Sequence, residues 1–479
     1  MSAAPRGGGV PGAGPRAPGP RGLSVLGVIR RRSRDPFQVM VELAAEYGPV
    51  VEIRVGGTSH FLVSSPEAAR HVLVEHQQNY PKGPGYAIWG RLLGQGLVTS
   101  DGDHWRSHRR LVQPSLHRDR MARFVEIMAG VAEEEAADLE TSVGTEVDLY
   151  GSTTRMALRI AARAFLGSDL RQREDELCAA LVAVFDHLQA LSESPIRALG
   201  MIPGVRALAP LAGGLRTRFD PGERRFEAAL ETLEAGIGEV VARRREELRR
   251  GRPGDDLVGR LLEAAAEDPD VELTDRDIRD EVMTMFVAGH ETTAAGLAWC
   301  LRLLADHPDV QREVVEEARD ALGAKSVALA DLDRLPLARR VFQESLRLFP
   351  PVWRVSRRAA RDDRLGGFPV PAGSVVIVSP WLIHRDPELW PDPDRFRPER
   401  FEDDSWPRDA WLPFGVGRRM CPGGAFATGE AQVLLATILR RVALRPPASG
   451  AMPAFEPRLT LRPKGGVPLR IEAPAPSTP

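Results

Sequence analysis

Two short runs dense in β-branched and aromatic residues, "VVEIRVGG" (50–57) and "HFLVSS" (60–65), flank a Gly-Gly-Thr-Ser turn and predict a β-hairpin. "SPEAARHVLVEH" follows with Ser65 placed as a helix N-cap and Pro66 at the first helical position. From about 102 to 347 apolar positions recur at helical spacing, with breaks at 200–205, 251–256 and 304–310. The longest run opens at Thr274 with Asp277 in capping-box position and continues to about Ala305. At 1.5 Å per residue it is about 45–50 Å long, enough to cross the whole molecule. Beyond 350 the chain is proline-rich and short-stranded; "SVVIVSP" (374–380) is the clearest strand, and a last long helix spans about 424–442. The pattern is a large, mainly α body with a small β region, without internal repeats.

Composition narrows the class. The 479 residues are 43% hydrophobic and 27% charged, with a net charge near −2. Nucleic-acid proteins carry a marked basic excess, which is missing here. Three cysteines, far apart, form no disulfide framework and suit a reducing cytosol. No stretch approaches the roughly 18 apolar residues of a membrane span. The expectation is a soluble, cytoplasmic chain: a disordered Pro/Gly-rich tail over 1–22, then a single domain over 23–479.

Residues 81–97 are rich in glycine yet carry Ile88, Trp89, Leu92 and Leu93, as though covering something apolar. Cys178 and Cys300 lie in helical pattern and read as small buried hydrophobes. Cys421 differs. It sits in "FGVGRRMCPGG" (414–424), where four glycines permit positive φ and close backbone approach. Phe414 offers a ring face, and the junction with the following helix favours negative charge. One cysteine without a second Cys or His nearby is unsuited to structural zinc, but suits a single axial thiolate on haem iron.

Phe414, Gly417, Arg419, Cys421 and Gly423 together match F-x-x-G-x-R-x-C-x-G, so the chain resembles the cytochrome P450 family of thiolate-ligated haem monooxygenases. Three further stretches agree with that resemblance. In "AGHETT" (288–293), Thr292 can bond back to the carbonyl of Ala288 and loosen the long helix. There the resemblance assigns Glu291 and Thr292 to an acid–alcohol pair relaying protons to bound oxygen, and leaves His290 at a variable position. Many soluble members carry Asp where this chain has Glu291. In "ESLR" and "FRPERF" it implies that Glu344, Arg347 and Arg400 form a buried charge cluster supporting the cysteine loop. In "WRSHRR" (105–110), Trp105 and Arg109 match W-x-x-x-R, and the haem propionates require cationic donors. Arg109, Trp105, Arg419 and Arg357 are the candidates.

The implied fold is that of the family, with haem b between the long helix and the cysteine loop. The implied activity is dioxygen activation and hydroxylation or epoxidation of a hydrophobic molecule (terpenoid, fatty acid or polyketide-like) in secondary metabolism. Its pocket would be walled by Ile88, Trp89, Ala288, Thr292, Val352 and Trp353. Electrons would come from NAD(P)H indirectly, through a reductase and a separate ferredoxin or flavodoxin docking on arginines such as Arg109, Arg110, Arg418 and Arg419. A peroxygenase or a dehydratase/isomerase on the same fold, and a haem-based sensor or carrier, are the alternatives.

Overall fold

The computed structural model describes residues 14–32, 35–55, 57–116, 118–167, 173–193, 221–252, 254, 256–267, 273–403 and 405–474. The long helix is Asp275–Asp306, and both halves of its capping box are made: Thr274 Oγ1 accepts from the N–H of Asp277, whose carboxylate accepts from the N–H of Thr274. Nearly all its side chains from Ile278 to Ala305 are buried, so it runs through the core. Around it pack Leu149–Ala161, Pro221–Arg249, Leu257–Glu267 and Pro336–Leu348, while Gly424–Ile438 lies against Arg118–Thr141 and Pro336–Leu348. The helical breaks at 251–256 and 304–310 occur as read; that at 200–205 lies outside the described residues.

The expected hairpin forms from Val50–Val55 and Thr58–Val63. Thr58–Val63 then pairs in parallel with Val375–Val378, which pairs antiparallel with Val355–Arg358, giving one four-stranded sheet. Ser65 caps Pro66–Arg70 by accepting from the N–H of Ala68 at 3.3 Å. The glycine-dense stretch is not loose chain. It folds into a 3₁₀ turn, Pro84–Ile88, and one helical turn, Gly90–Leu93, whose Leu92 and Leu93 are buried.

Residues 14–22 correct the expected disorder of the first 22. Ala17 is fully buried, and the Pro18 carbonyl accepts from the N–H of Glu52 at 2.8 Å. A side chain at Gly19 would collide with the Glu52 backbone, so its glycine permits this close approach. Proline and glycine serve here as an extended edge segment laid on the sheet, although their composition reads as disorder. Among the described residues no helix is long and apolar enough to cross a membrane.

Candidate active site

The cysteine loop is closed by its own backbone. The Cys421 N–H donates to the Phe414 carbonyl at 2.8 Å, and the Gly423 N–H donates to the Cys421 sulfur. Gly415 and Gly417 take φ of 69° and 75°, where other residues are strained, and a Cβ on Gly417 would press on the Leu73 carbonyl at 2.6 Å. The Phe414 ring lies over the start of Gly424–Ile438, 3.5 Å from where a Cβ on Gly424 would stand. Cys421 itself is exposed. Surrounding protein pushes its thiol pKa up, while the Gly423 N–H and the charge of Arg109 act in the opposite direction.

Behind the loop, cations gather. Arg419 lies 4.3 Å above the Trp105 ring, donates to the Ser100 carbonyl at 3.2 Å and pairs with Asp101. Lys82 donates to the Leu97 carbonyl at 2.6 Å and is bridged through its backbone to Arg357, which is buried. Burial, then Arg419 and Arg357, push the Lys82 ammonium down to about 7, against the pull of Asp101. Of these three cations only Arg419 is ion-paired with Asp101, while Lys82 and Arg357 bond backbone carbonyls, an arrangement that leaves positive charge for an anionic group to meet. A haem carries two propionates. The exposed thiol, the glycine-shaped loop and this gathering of cations therefore fit a thiolate-ligated haem. Lys82 was not singled out in the sequence; the one signal was its rarity, lysine standing at three positions among 64 basic residues.

On the long helix the run of burial is interrupted at Ala288, Gly289 and Thr292, neighbours on one face (Arg279 aside). There Thr292 Oγ1 donates to the Ala288 carbonyl at 2.7 Å, as its spacing predicts. Glu291 points elsewhere. Its Oε1 accepts from Thr460 Oγ1 at 2.8 Å and from Tyr150 Oη at 3.4 Å, with Arg462 Nη1 3.9 Å away. Glu291, Tyr150 and Arg462, with Asp186, His290 and Glu456, line a recess of about 260 Å³. The acid and the alcohol, adjacent in sequence, thus face different spaces. Tyr150, Thr460 and Arg462 escaped sequence reading because they come from distant elements.

Glu344, Arg347 and Arg400 do come together. Arg347 grips Glu344 with two bonds of 2.7 and 2.8 Å and donates to the carbonyls of His384, Pro393 and Arg395. Arg400 Nε reaches Glu344 at 3.3 Å. His384 extends the cluster: its Nδ1 donates to the Arg347 carbonyl, and its Nε2 accepts from the Leu412 N–H at 2.8 Å, just before the cysteine loop. Burial, with Arg347 and Arg385 nearby, holds its pKa down to about 3.

Of the expected pocket wall, Trp89 packs on Phe185 at 5.3 Å between centroids, Ile88 is buried beside it, and Val352 keeps some exposure. Trp353 is a correction. It is fully buried, its indole N–H donates to the Arg458 carbonyl at 2.9 Å, and it packs against Phe37, so it belongs to an aromatic core cluster. Arg419 likewise turns inward to Asp101, so it is not part of an exposed basic face, whereas Arg110 and Arg418 are exposed.

Fold and site together define a haem-thiolate protein. The family model described as Cytochrome P450 matches residues 17–469, and the chain belongs to that family. It is 33% identical to cyclooctatin synthase of Streptomyces melanosporofaciens over 460 residues, covering 94% of each chain. Cyclooctat-9-en-7-ol 5-monooxygenase of the same organism is 33% identical over 432 residues (89% of each), and pentalenene oxygenase of Streptomyces avermitilis 32% over 435 residues (90% of this chain, 92% of the relative). The protein is an oxidoreductase of the P450 monooxygenase family.

Proposed function

We propose that this P450 inserts oxygen into a hydrophobic, terpenoid-like small molecule, with Cys421 as the thiolate ligand of haem b. The observation that carries the reading is the Cys421 thiol at a helix start, with the Gly423 N–H on its sulfur and the Arg109 charge nearby. The names of the relatives, cyclooctat-9-en-7-ol monooxygenase and pentalenene oxygenase, support the substrate class. When bound, the haem supplies reductive dioxygen activation and C–H oxidation. Arg109, Arg357, Arg419 and Trp105, joined by Lys82, would neutralise and orient its carboxylates. Phe414 and Gly423, beside the thiol, and Ala288, on the long helix, would help to hold it.

Thr292 Oγ1 presents a hydroxyl on the open face of the long helix, held by the Ala288 carbonyl. Glu291, in its polar recess, takes protons from solvent past Asp186 and Glu456 and passes them toward Thr292 by turning away from Thr460. Ile88, Trp89 and Val352 exclude water and hold the apolar substrate. Electrons come from a separate ferredoxin or flavodoxin, itself reduced by an NAD(P)H-dependent reductase. It docks by its acidic surface on a face that includes exposed Arg110 and Arg418.

Cys421→Ser tests the ligand assignment. Loss of the red-shifted ferrous–carbon monoxide Soret band supports it, and an unaltered band in the purified variant rejects it. Thr292→Ala separates oxygenase from alternatives that need no proton relay: reductant consumption should continue while product falls and peroxide appears. Coupling unchanged from wild type would remove Thr292 from the relay.

A further inference from the structure

A second cluster of ligand-capable side chains lies where three elements meet. His104 and His108 stand one helical turn apart on Gly102–Val112, a spacing that places both imidazoles on one face, as in helical zinc-binding pairs. Their rings stack with centroids 3.9 Å apart. Asp277, from the first turn of the long helix, completes the set. One ligand atom of each of the three lies within 4.8 Å of the others, and His108 Nε2 is 4.0 Å from Asp277 Oδ1.

Each member is held from behind. His108 Nδ1 lies 2.9 Å from Oε1 of buried Glu281, the carboxylate–imidazole contact that orients metal-binding histidines. His104 Nε2 bonds the Gln95 carbonyl at 3.0 Å, which seats that exposed ring on the neighbouring loop. The capping box uses Asp277 Oδ2, which accepts from Thr274 N–H at 2.9 Å and Oγ1 at 2.6 Å, and so leaves Oδ1 turned to His108. Asp280 and Glu281 add negative charge, in part offset by Arg279 on Asp280. His108 is buried, Asp277 half-buried and His104 exposed, so an ion has an approach from solvent.

We propose that His104, His108 and Asp277 form a site for one divalent transition metal of the zinc class, separate from the cysteine centre, that fastens the 94–97 loop to the long helix. A tetrahedral ion with bonds of about 2.0–2.2 Å sets its ligand atoms roughly 3.4 Å apart. Capture therefore closes the 4.0 Å gap and splays the stacked rings by small side-chain rotations. The loop is already tied to the same helix: Gln95 N–H donates to Asp280 Oδ2 at 2.8 Å, and Leu97 N–H to Glu281 Oε2 at 3.2 Å. It follows the Gly90–Leu93 turn that continues from Ile88 and Trp89, and precedes the Trp105 helix, so an ion here restrains that stretch of chain.

The haem-loaded full chain, freed of loose metal with a chelator, is titrated with Zn²⁺ calorimetrically at mildly alkaline pH. One saturable site per chain is expected. His104→Ala and Asp277→Asn should each weaken it at least about tenfold, and Glu281→Gln, acting from behind, by roughly ten- to hundredfold. Zinc should also slow hydrogen exchange of the 94–97 amides in the wild type and not in His104→Ala. His104 is exposed, so an unchanged haem spectrum certifies that the variant is folded. Absence of saturable binding overturns the proposal, as does binding kept in His104→Ala. Loss in His76→Ala instead would place the ion on His71, His76 and Asp363, the other such cluster among the described residues.

Discussion

Two buried arginine clusters flank the cysteine loop, and they are built on opposite rules. Around Glu344 every charge is answered: Arg347 has its carboxylate fork and three backbone carbonyls, Arg400 the same carboxylate and the Asp392 carbonyl. Around Trp105 the account does not close. Of Lys82, Arg357 and Arg419 only Arg419 is ion-paired with Asp101, and Lys82 is driven toward neutrality. A desolvated charge with a complete partner set holds structure together; one short of partners is kept for a ligand that brings them. The first cluster braces the loop through His384 and Leu412, and the second is the one proposed to take an anionic group.

The contrast can be broken in four ways. Glu344→Ala leaves two guanidinium groups uncompensated and should cost about 3–5 kcal/mol of stability, read as a lowered denaturation midpoint. A cost near that of a surface change would mean the cluster is solvated and the contrast false. Arg357→Gln should leave the stability of the haem-free protein unchanged or higher. It should speed haem transfer to a competing apoglobin by roughly ten- to hundredfold, the worth of one charged hydrogen bond. If stability falls and haem retention stays, the second cluster is structural after all.

Titration should then separate the two. His384, ordinarily near 6.5, is held at about 3, so the unfolded chain takes up its proton first. Stability from the first cluster is present above about pH 6.5 and is lost as pH falls toward 3, and His384→Gln should flatten that slope. Lys82 acts with the same sign but in a higher window. Its folded value of about 7 lies below the usual 10.5, so the unfolded state binds more protons between them. The haem-free protein should gain stability as pH rises through that window, and Lys82→Met should abolish the gain. Urea midpoints across both windows decide it, and identical slopes in variant and wild type would detach either residue from its cluster. The smallest effect is Arg400→Lys. Losing the fork between Glu344 and the Asp392 carbonyl should cost about 1 kcal/mol, whereas full tolerance would show that point charge alone suffices there.

Much of the scaffold could be read from the chain. The capping box at Thr274, the hairpin turn, the Ser65 cap and the Thr292 bond to Ala288 all depend on residues within four positions of each other. The cysteine loop reaches only a little further, its shape following from Gly415 and Gly417 and from the closing bond between Phe414 and Cys421, seven positions apart. Composition misled at residues 14–22, where proline and glycine are ordered by backbone pairing with Glu52, and at Trp353, where an apolar residue near the expected pocket went into the core instead.

By itself, then, the sequence determined the elements, their caps and the local geometry around Cys421 and Thr292, because short-range hydrogen bonds and steric limits act between neighbours in the chain. Tertiary structure alone decided that Glu291 faces Thr460 across 169 positions, that Lys82 joins Arg357 and Arg419, that His384 meets Leu412, and that two histidines of one helix meet an aspartate of another. Burial and charge balance are properties of the assembled interior. They take their values when distant segments pack and displace water, which no local pattern encodes.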